Sequence, residues 1–508
     1  MSDDSIAATA PRGRDSLSVL ATRGFLWSAL SFGSSRIIVF IVTLVLARLL
    51  APGDFGVVAA GLTLIAFLEI ALDLGVGAAV VYEQEQGLTH RVRTAYTLNL
   101  LIALLLAGLG VLASPAIASF FRSPESVDLF RALFGYLVLR GAAQVQGAVL
   151  QRDLRYRERI TIDFSRAIVR GGASVGLAFA GAGAWAIVAG LLIGESVGLT
   201  LACTFVRLRP TLHLEKSVVA ALLRFGMAVL ALKVISGLLT DGDNLIVGNR
   251  LGTTQLGLYA MAFRLPELCI DSVHWIFSSI SFSLYARARQ QGADTFRDAM
   301  LRSLRLTTLF GFSAGTGLAV AAPLAVPVLF SARWTAAIVP TVLLSLAMGL
   351  ASIGYASGDI FPAVGRPGVL LRLTGAMTAI AVVGFWLASP YGIAAVAAVH
   401  LAFQSVFGAL RLRVANHLVG SSWGDVFASL TPGIASSFGI VCLGMPMSLL
   451  VPRSPLGLCA TVVSGSVGAA LALTLFGRPA IHEIIYLLRG LRTETPRGGT
   501  VPPASAPD

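Results

Sequence analysis

Long uninterrupted apolar runs recur from residue 24 to residue 477 of this 508-residue chain, and few folds can accommodate them. A window of ~20 residues, the length of a membrane-crossing helix, places runs at 24–47, 56–81, 95–118, 128–150, 161–180 and 184–206. A second set falls at 219–247, 256–284, 304–330, 336–360, 369–388 and 391–412, and a last pair at 425–450 and 455–477. Hydrophobic residues make up 56% of the chain and charged residues 13%, about half the ~25% charge of an average soluble domain. A water-soluble core cannot absorb so much apolar surface. Barrel strands would show ~10-residue alternating segments, so the expected fold is an all-α integral membrane protein of about fourteen transmembrane helices.

The basic residues punctuate these runs instead of forming one water-exposed face, so the net charge of +12 does not point to nucleic acid. They also alternate. Arg91 and Arg93, then Arg152, Arg155, Arg157 and Arg159, then Arg207, Arg209 and Lys216 mark successive even-numbered connections. Arg287, Arg289, Arg297, Arg302 and Arg305, then Arg366 and Arg372, then Arg411 and Arg413 continue the series, whereas the odd connections hold little beyond Arg48, Arg122, Arg250, Arg333 and Arg453. Lys and Arg accumulate on the cytoplasmic side, so both termini are expected in the cytoplasm, and a missing or extra span would scramble the pattern. Residues 1–22 are polar and the first apolar run continues for a full span, so no cleavable leader is expected. Cys203, Cys269, Cys442 and Cys459 show no metal spacing and read as small buried hydrophobes. His90, His213 and His417 are expected in loops, and His274 and His400 stand isolated within spans, so neither a metal nor any other cofactor is expected.

An internal repeat emerges when residue 23 is laid on residue 224 and the register is held without gaps. Arg23 then meets Arg224, Ser35 meets Ser236, Gly56 meets Gly257 and Ala59 meets Ala260, with LLAPGDFGVVA set against RLGTTQLGLYA. Gly183, Ala186 and Ile187 are echoed by Gly392, Ala395 and Val396. Six helices separate the copies, so the halves share one orientation and should be related by an axis along the membrane normal. Two pseudo-symmetric six-helix bundles are expected, at 24–210 and 211–415. A cytoplasmic segment (1–23) precedes them and two further helices (424–477) follow. The tail, 478–508, reads as an amphipathic stretch around Ile481, Ile484, Ile485 and Leu488, then a disordered end.

Several segments identify a family. LARLLAPGDFGVVAAG at 46–61, LGVGAAVV at 74–81, LQRDLRYR at 150–157, GAWAIVAG at 183–190, DNLIVGNRLGTTQLGLYAMAFRLPE at 243–267 and AVGRP at 363–367 recur in order across most of the chain. With these the chain resembles the multidrug/oligosaccharidyl-lipid/polysaccharide flippase superfamily, and within it the polysaccharide-transporter branch of Wzx-type flippases. The motifs are turns and helix-packing positions, which specify family better than cargo. The resemblance implies a V-shaped pair of six-helix bundles with two accessory helices, working by alternating access in a bacterial inner membrane. It also implies polyprenyl-diphosphate-linked oligosaccharide as cargo, with membrane lipids around it and the polysaccharide polymerase and export machinery as partners.

A diphosphate crossing a low-dielectric region needs cations along its path. Arg36 and Lys233 lie near the middle of the first helix of each half, and the repeat sets Lys233 opposite Phe32, one turn from Arg36. A lone mid-span cation costs about 2.5–3.5 kcal/mol on insertion scales. Both are therefore candidates to line the cavity, the alternative being pairing with a neighbouring carboxylate. Arg140, Arg170 and Arg264 are further candidates; Arg264 has Glu267 at i+3, and Arg166 is expected to snorkel to the interface. Glu69 with Asp73, and Glu267 with Asp271, stand at i, i+4 and are candidate ion-coupling carboxylates, or else structural partners of the arginines. Glu195 is left without a role, and a helix bend is expected at Gly242 between Asp241 and Asp243.

Enzyme readings lack support. No HExxH, Walker loop or GxSxG is present, and no external connection exceeds ~12 residues, too short for a catalytic loop that holds an acceptor. A drug or organic-cation antiporter of the same fold is the alternative to a flippase, and a polysaccharide-processing enzyme is a distant third. An antiporter for cations should line its cavity with carboxylates and aromatics, whereas the five candidate cations tilt this one positive.

Overall fold

The computed structural model describes residues 36–72, 88–208, 237–238 and 240–477, and within them the chain is helical throughout, without strands. In order the helices are α1 (36–49), α2 (Pro52–Leu72), α3 (Leu88–Phe120), α4 (Val127–Arg152), α5 (Tyr156–Phe179), α6 (Ala184–Phe205), α7 (240–251) and α8 (Thr253–Pro266). A π-helical turn, Glu267–Asp271, joins α8 without a break to α9 (Ser272–Gln291). There follow α10 (Ala293–Leu329), α11 (Ile338–Gly358), the short α12 (Ile360–Ala363), α13 (Pro367–Ala388), α14 (Ile393–Val419), α15 (Trp423–Leu450) and α16 (Pro455–Phe476).

Each expected span falls on a helix over its described residues, and ten of these helices are long and apolar enough to cross a membrane by length and composition. Lipid offers the backbone no hydrogen-bond partner, so each run closes its own ladder. The outward faces carry apolar side chains: Leu105, Leu109 and Leu112 on α3, Ile380 and Val383 on α13, and Phe427, Ile434 and Phe438 on α15 are exposed. All four cysteines lie on such exposed faces, which corrects the expectation that they are buried. When lipid is the solvent, an apolar side chain has no need of the protein interior.

Several helices run past the expected spans at their basic ends. Arg287 and Arg289 lie in α9, Arg297 and Arg302 in α10, Arg413 in α14, and α5 begins before Arg157. Hydropathy stops at the first charges, but Arg is a good helix former and the helix continues beyond the apolar layer. His90 and His417 are therefore helical rather than in loops, and residues 240–251 form an unbroken helix through Gly242. The segments 1–23 and 478–508, with Lys233, Asp73 and His213, lie outside the described residues.

The described residues form two compact units, divided between Ala260 and Met261. In the first, α3 packs on α4 and α5 on α6, with α4 also against α6 and α2. In the second, α10 and α11 pair, α14 lies against α11, and α15 runs along α10 with α16 on its other side. Ser422 and Ser454 start α15 and α16 by accepting the backbone N–H groups of Asp425 and Gly457, each at 3.1 Å.

Within the first unit, the turn before α8 packs against its counterpart in the repeat. A Cβ on Gly56 would collide with the Thr253 carbonyl, and a Cβ on Gly257 would collide with the Pro52 carbonyl. Pro52 and Thr253 are themselves equivalent in the repeat, as are Gly53 and Thr254, whose Oγ1 lies 3.4 Å from a Cβ built on Gly53. The contact is thus reciprocal: the first turns of α2 and α8 meet backbone to backbone, and only glycine leaves room for it. Asp54 shapes its side of the crossing by accepting the Ala51 N–H at 2.9 Å. Overpacking such a contact costs about 1–3 kcal/mol. Gly257→Val is therefore expected to lower the Tm of the detergent-purified protein. Gly108→Ala in α3, where an added Cβ meets open space, should leave it unchanged or slightly higher.

Candidate functional site

Among the described residues, two sets of ionisable side chains stand out within the spans, one in each unit, besides the buried pair in which the Tyr259 hydroxyl donates to Asp243 Oδ2 at 2.8 Å. The first is built on a stripe of glycines. Gly190, Gly194 and Gly198 recur every fourth residue along α6, and Cβ atoms there would meet Ser174 Oγ, Arg170 Cβ at 2.7 Å and Arg166 Nε at 2.6 Å. The stripe forms a groove in which the α5 arginines lie, so Arg166 can reach across to Glu195. Arg166 Nε stands 3.1 Å from Glu195 Oε2, and Arg166 Nη1 stands 3.4 Å from Asp163 Oδ1. From α4, Arg140 Nη1 approaches Glu195 Oε1 at 3.5 Å, while its Nε approaches Glu69 Oε1 of α2, also at 3.5 Å. Glu195 is only 3% exposed, so it is a buried carboxyl group with two guanidinium partners.

Four helices therefore meet at one charge cluster: Glu69 from α2, Arg140 with Tyr136 from α4, Arg166 and Arg170 from α5, and Glu195 from α6. Tyr136 lies among Glu69, Arg140 and Arg170. Two residues expected to act separately, the candidate cation Arg140 and the candidate coupling carboxylate Glu69, are an ion pair. Arg166 does not snorkel outward; it turns inward to Glu195, because pairing a buried carboxylate outweighs hydration of one guanidinium. Glu195 is the residue that sequence reasoning left without a role, yet it joins the cluster. The glycine stripe around it was the available signal.

The second set surrounds the π-helical turn. Glu267 and Asp271, which share a helix face by spacing, have different partners. Arg264 Nη1 donates to Glu267 Oε2 at 3.3 Å, and the Tyr355 hydroxyl of α11 donates to Asp271 Oδ1 at 2.6 Å. His274 is buried, stacked on Tyr355 with ring centroids 4.6 Å apart, and edge-on to Phe310. Arg411 of α14 lies against Gly354 and Gly358 and over the Phe407 ring at 5.2 Å. A π-turn shifts the phase of the helix by one residue, so sequence spacing alone could not show which side chains reach α11. Tyr355 and His274 thus carry no sequence signal of their own. Arg36 opens the described part of α1 and is partly buried.

Helical bundles with paired ionisable groups inside their spans, and apolar side chains facing outward, define a multi-pass membrane protein. The chain belongs to the family described as Polysaccharide biosynthesis protein, whose match covers residues 45–339, within the Wzx-type branch of the flippase superfamily. It is 26% identical over 502 residues to the succinoglycan biosynthesis transport protein ExoT of Rhizobium meliloti (strain 1021), covering 94% of this chain and 97% of that protein. It is 24% identical over 418 residues to the lipopolysaccharide biosynthesis protein WzxC of Escherichia coli (strain K12), covering 80% of this chain and 81% of the relative. Among solved structures, the lipid II flippase MurJ in an inward closed conformation superposes with a TM-score of 0.73 at 12% identity, over 90% of this chain and all of MurJ. That likeness shows the fold. The family and its relatives are transporters, not enzymes.

Removing one partner of a buried ion pair costs about 3–5 kcal/mol, because an uncompensated charge remains. Glu195→Ala leaves Arg140 and Arg166 without their shared anion. Since both arginines are partly exposed, a loss at the lower end of that range is expected, read as a fall in Tm and in membrane abundance. Arg131→Ala, which removes an exposed ion pair with Asp128, should change stability by less than about 1 kcal/mol.

Proposed function

We propose that this protein moves a polyprenyl-diphosphate-linked oligosaccharide across the bacterial inner membrane by alternating access, supplying surface polysaccharide synthesis. Family membership supplies the class of transport, and the positive groups inside the spans supply the cargo chemistry. The observation that carries the reading is Arg140, a guanidinium near the middle of α4 that is 41% exposed. Ionisable groups within spans face a bundle interior or a water-filled cavity rather than hydrocarbon. A partly exposed cation at that depth suits an anionic headgroup and repels an organic cation, which favours a flippase over a cation antiporter.

In this reading the bundles 24–210 and 211–415 are the two halves that rock about the cargo, and 424–477 is accessory. Arg36 and Lys233 meet the diphosphate from equivalent places in the repeat, with Arg140, Arg170 and Arg264 along the path. Glu69, Asp73, Glu267 and Asp271 are the carboxylates through which an ion gradient would act. Both termini lie in the cytoplasm, and the product is handed to a polysaccharide polymerase and export machinery.

Two experiments test the reading. Charge-assisted contacts strengthen in a low dielectric, so Arg36→Ala and Lys233→Ala should each reduce surface-polysaccharide complementation at normal membrane abundance. Arg36→Lys, which keeps charge but loses the bidentate fork, should be milder. Normal export by both alanine variants would remove these residues from the cargo path, and low abundance with normal specific activity would make them structural. For orientation, a reporter fused after Arg157 should sit in the cytoplasm and one after Arg122 in the periplasm; the opposite result at either site would overturn the topology.

A further inference from the structure

Arg140 stands between two carboxylates that differ in one respect. Glu195 is 3% exposed and also holds Arg166, whereas Glu69 is 35% exposed. One carboxylate is built into the helix packing, and the other, like Arg140 itself, is only half-buried. Both contacts from Arg140 are 3.5 Å long, beyond the 2.7–2.9 Å typical of strong charge-assisted bonds. The guanidinium is therefore held through Nε and Nη1 by two long contacts and not by one tight bidentate pair.

We propose that Glu69 and the diphosphate of a lipid-linked cargo compete for Arg140, with Glu195 holding the arginine in place during the exchange. This rests on the flippase reading. With Glu69 ionised, Arg140 has an anion on each side, and a diphosphate arriving there meets a like charge. When the Glu69 carboxylate takes a proton from water it loses that charge, and the Arg140 fork turns to the phosphate oxygens. Binding and protonation are then linked, and linkage is reciprocal: cargo at Arg140 makes Glu69 hold its proton more tightly. Among the described residues, the charged and titratable groups facing Glu69 are Tyr136 and Arg140 from α4, Arg166 from α5 and Glu195 from α6. Of these, Arg140 forms an ion pair with Glu69 and Tyr136 hydrogen-bonds to it, so the charge exchange runs through the guanidinium.

The test uses the full-length protein in detergent and farnesyl diphosphate, a short polyprenyl diphosphate, in calorimetric titrations at alkaline and mildly acidic pH. The wild type should bind more tightly at the acidic pH. Glu69→Gln, an isostere without charge, should bind at alkaline pH about tenfold more tightly than the wild type, the equivalent of one pKa unit, and should lose the pH dependence. Arg140→Gln should abolish binding at both pH values, and Arg140→Lys should recover part of it. Inorganic pyrophosphate and farnesol separate the headgroup from the lipid: neither alone should match farnesyl diphosphate. A Glu69→Gln variant with wild-type affinity and wild-type pH profile would overturn the competition while leaving the flippase reading intact. So would equal responses to farnesyl diphosphate and farnesol that Arg140→Gln does not alter. A wild type that binds no farnesyl diphosphate at either pH would overturn the cargo reading, and the competition with it. Thermal unfolding of each variant guards against misfolding; if Arg140→Gln is unstable, the Glu69→Gln comparison still decides.

Discussion

A bilayer gives the polypeptide backbone nothing to bond with, and it charges heavily for ionised groups. The first condition makes every span a helix. The second determines where Glu69, Arg140, Arg166, Arg170 and Glu195 can go. Placed on separate spans, each would be costly; gathered where α2, α4, α5 and α6 meet, they offset one another. The glycines at 190, 194 and 198 make this possible by bringing α6 close enough to α5 for Arg166 to reach Glu195. Helix packing and electrostatics are one arrangement here, because the residues that let the helices approach also bring the charges together.

The same economy governs the repeat. Gly56 and Gly257 are equivalent in sequence and meet in space, each fitting against the carbonyl that starts the other's helix. A contact made by backbone alone does not depend on side-chain rotamers. It needs only that both copies keep their glycine, which explains why this short stretch is the most legible part of the repeat. In the second unit, the π-turn does the corresponding work by other means. One extra residue in the helix lets Glu267 pair locally with Arg264 while Asp271 reaches Tyr355 on α11.

Much of this was legible in the sequence. The spans were readable because hydropathy and helix length are both set by the thickness of the apolar layer. Their basic ends were misplaced because hydropathy records where lipid ends, not where the helix ends, so Arg287, Arg297 and Arg413 were expected in loops and lie in helices. The cysteines were expected inside because burial was judged as in water; lipid removes the reason. Arg140 and Glu69 were both noticed, but as members of separate groups.

The sequence by itself determined the class of fold, where the spans run among the described residues, and the family, because each rests on local apolarity or on motifs contiguous in the chain. It also named most of the ionisable residues that matter. Tertiary structure alone decided their partners. Glu69, Arg140, Arg166 and Glu195 lie far apart in sequence, and no periodicity within one helix says which neighbour it faces. That choice is made by the close packing of α6 on α5 and of α2 on α4. Glu195 becomes a buried anchor and Glu69 a half-buried partner for the same arginine, since burial is a property of the assembled helices and not of the residue.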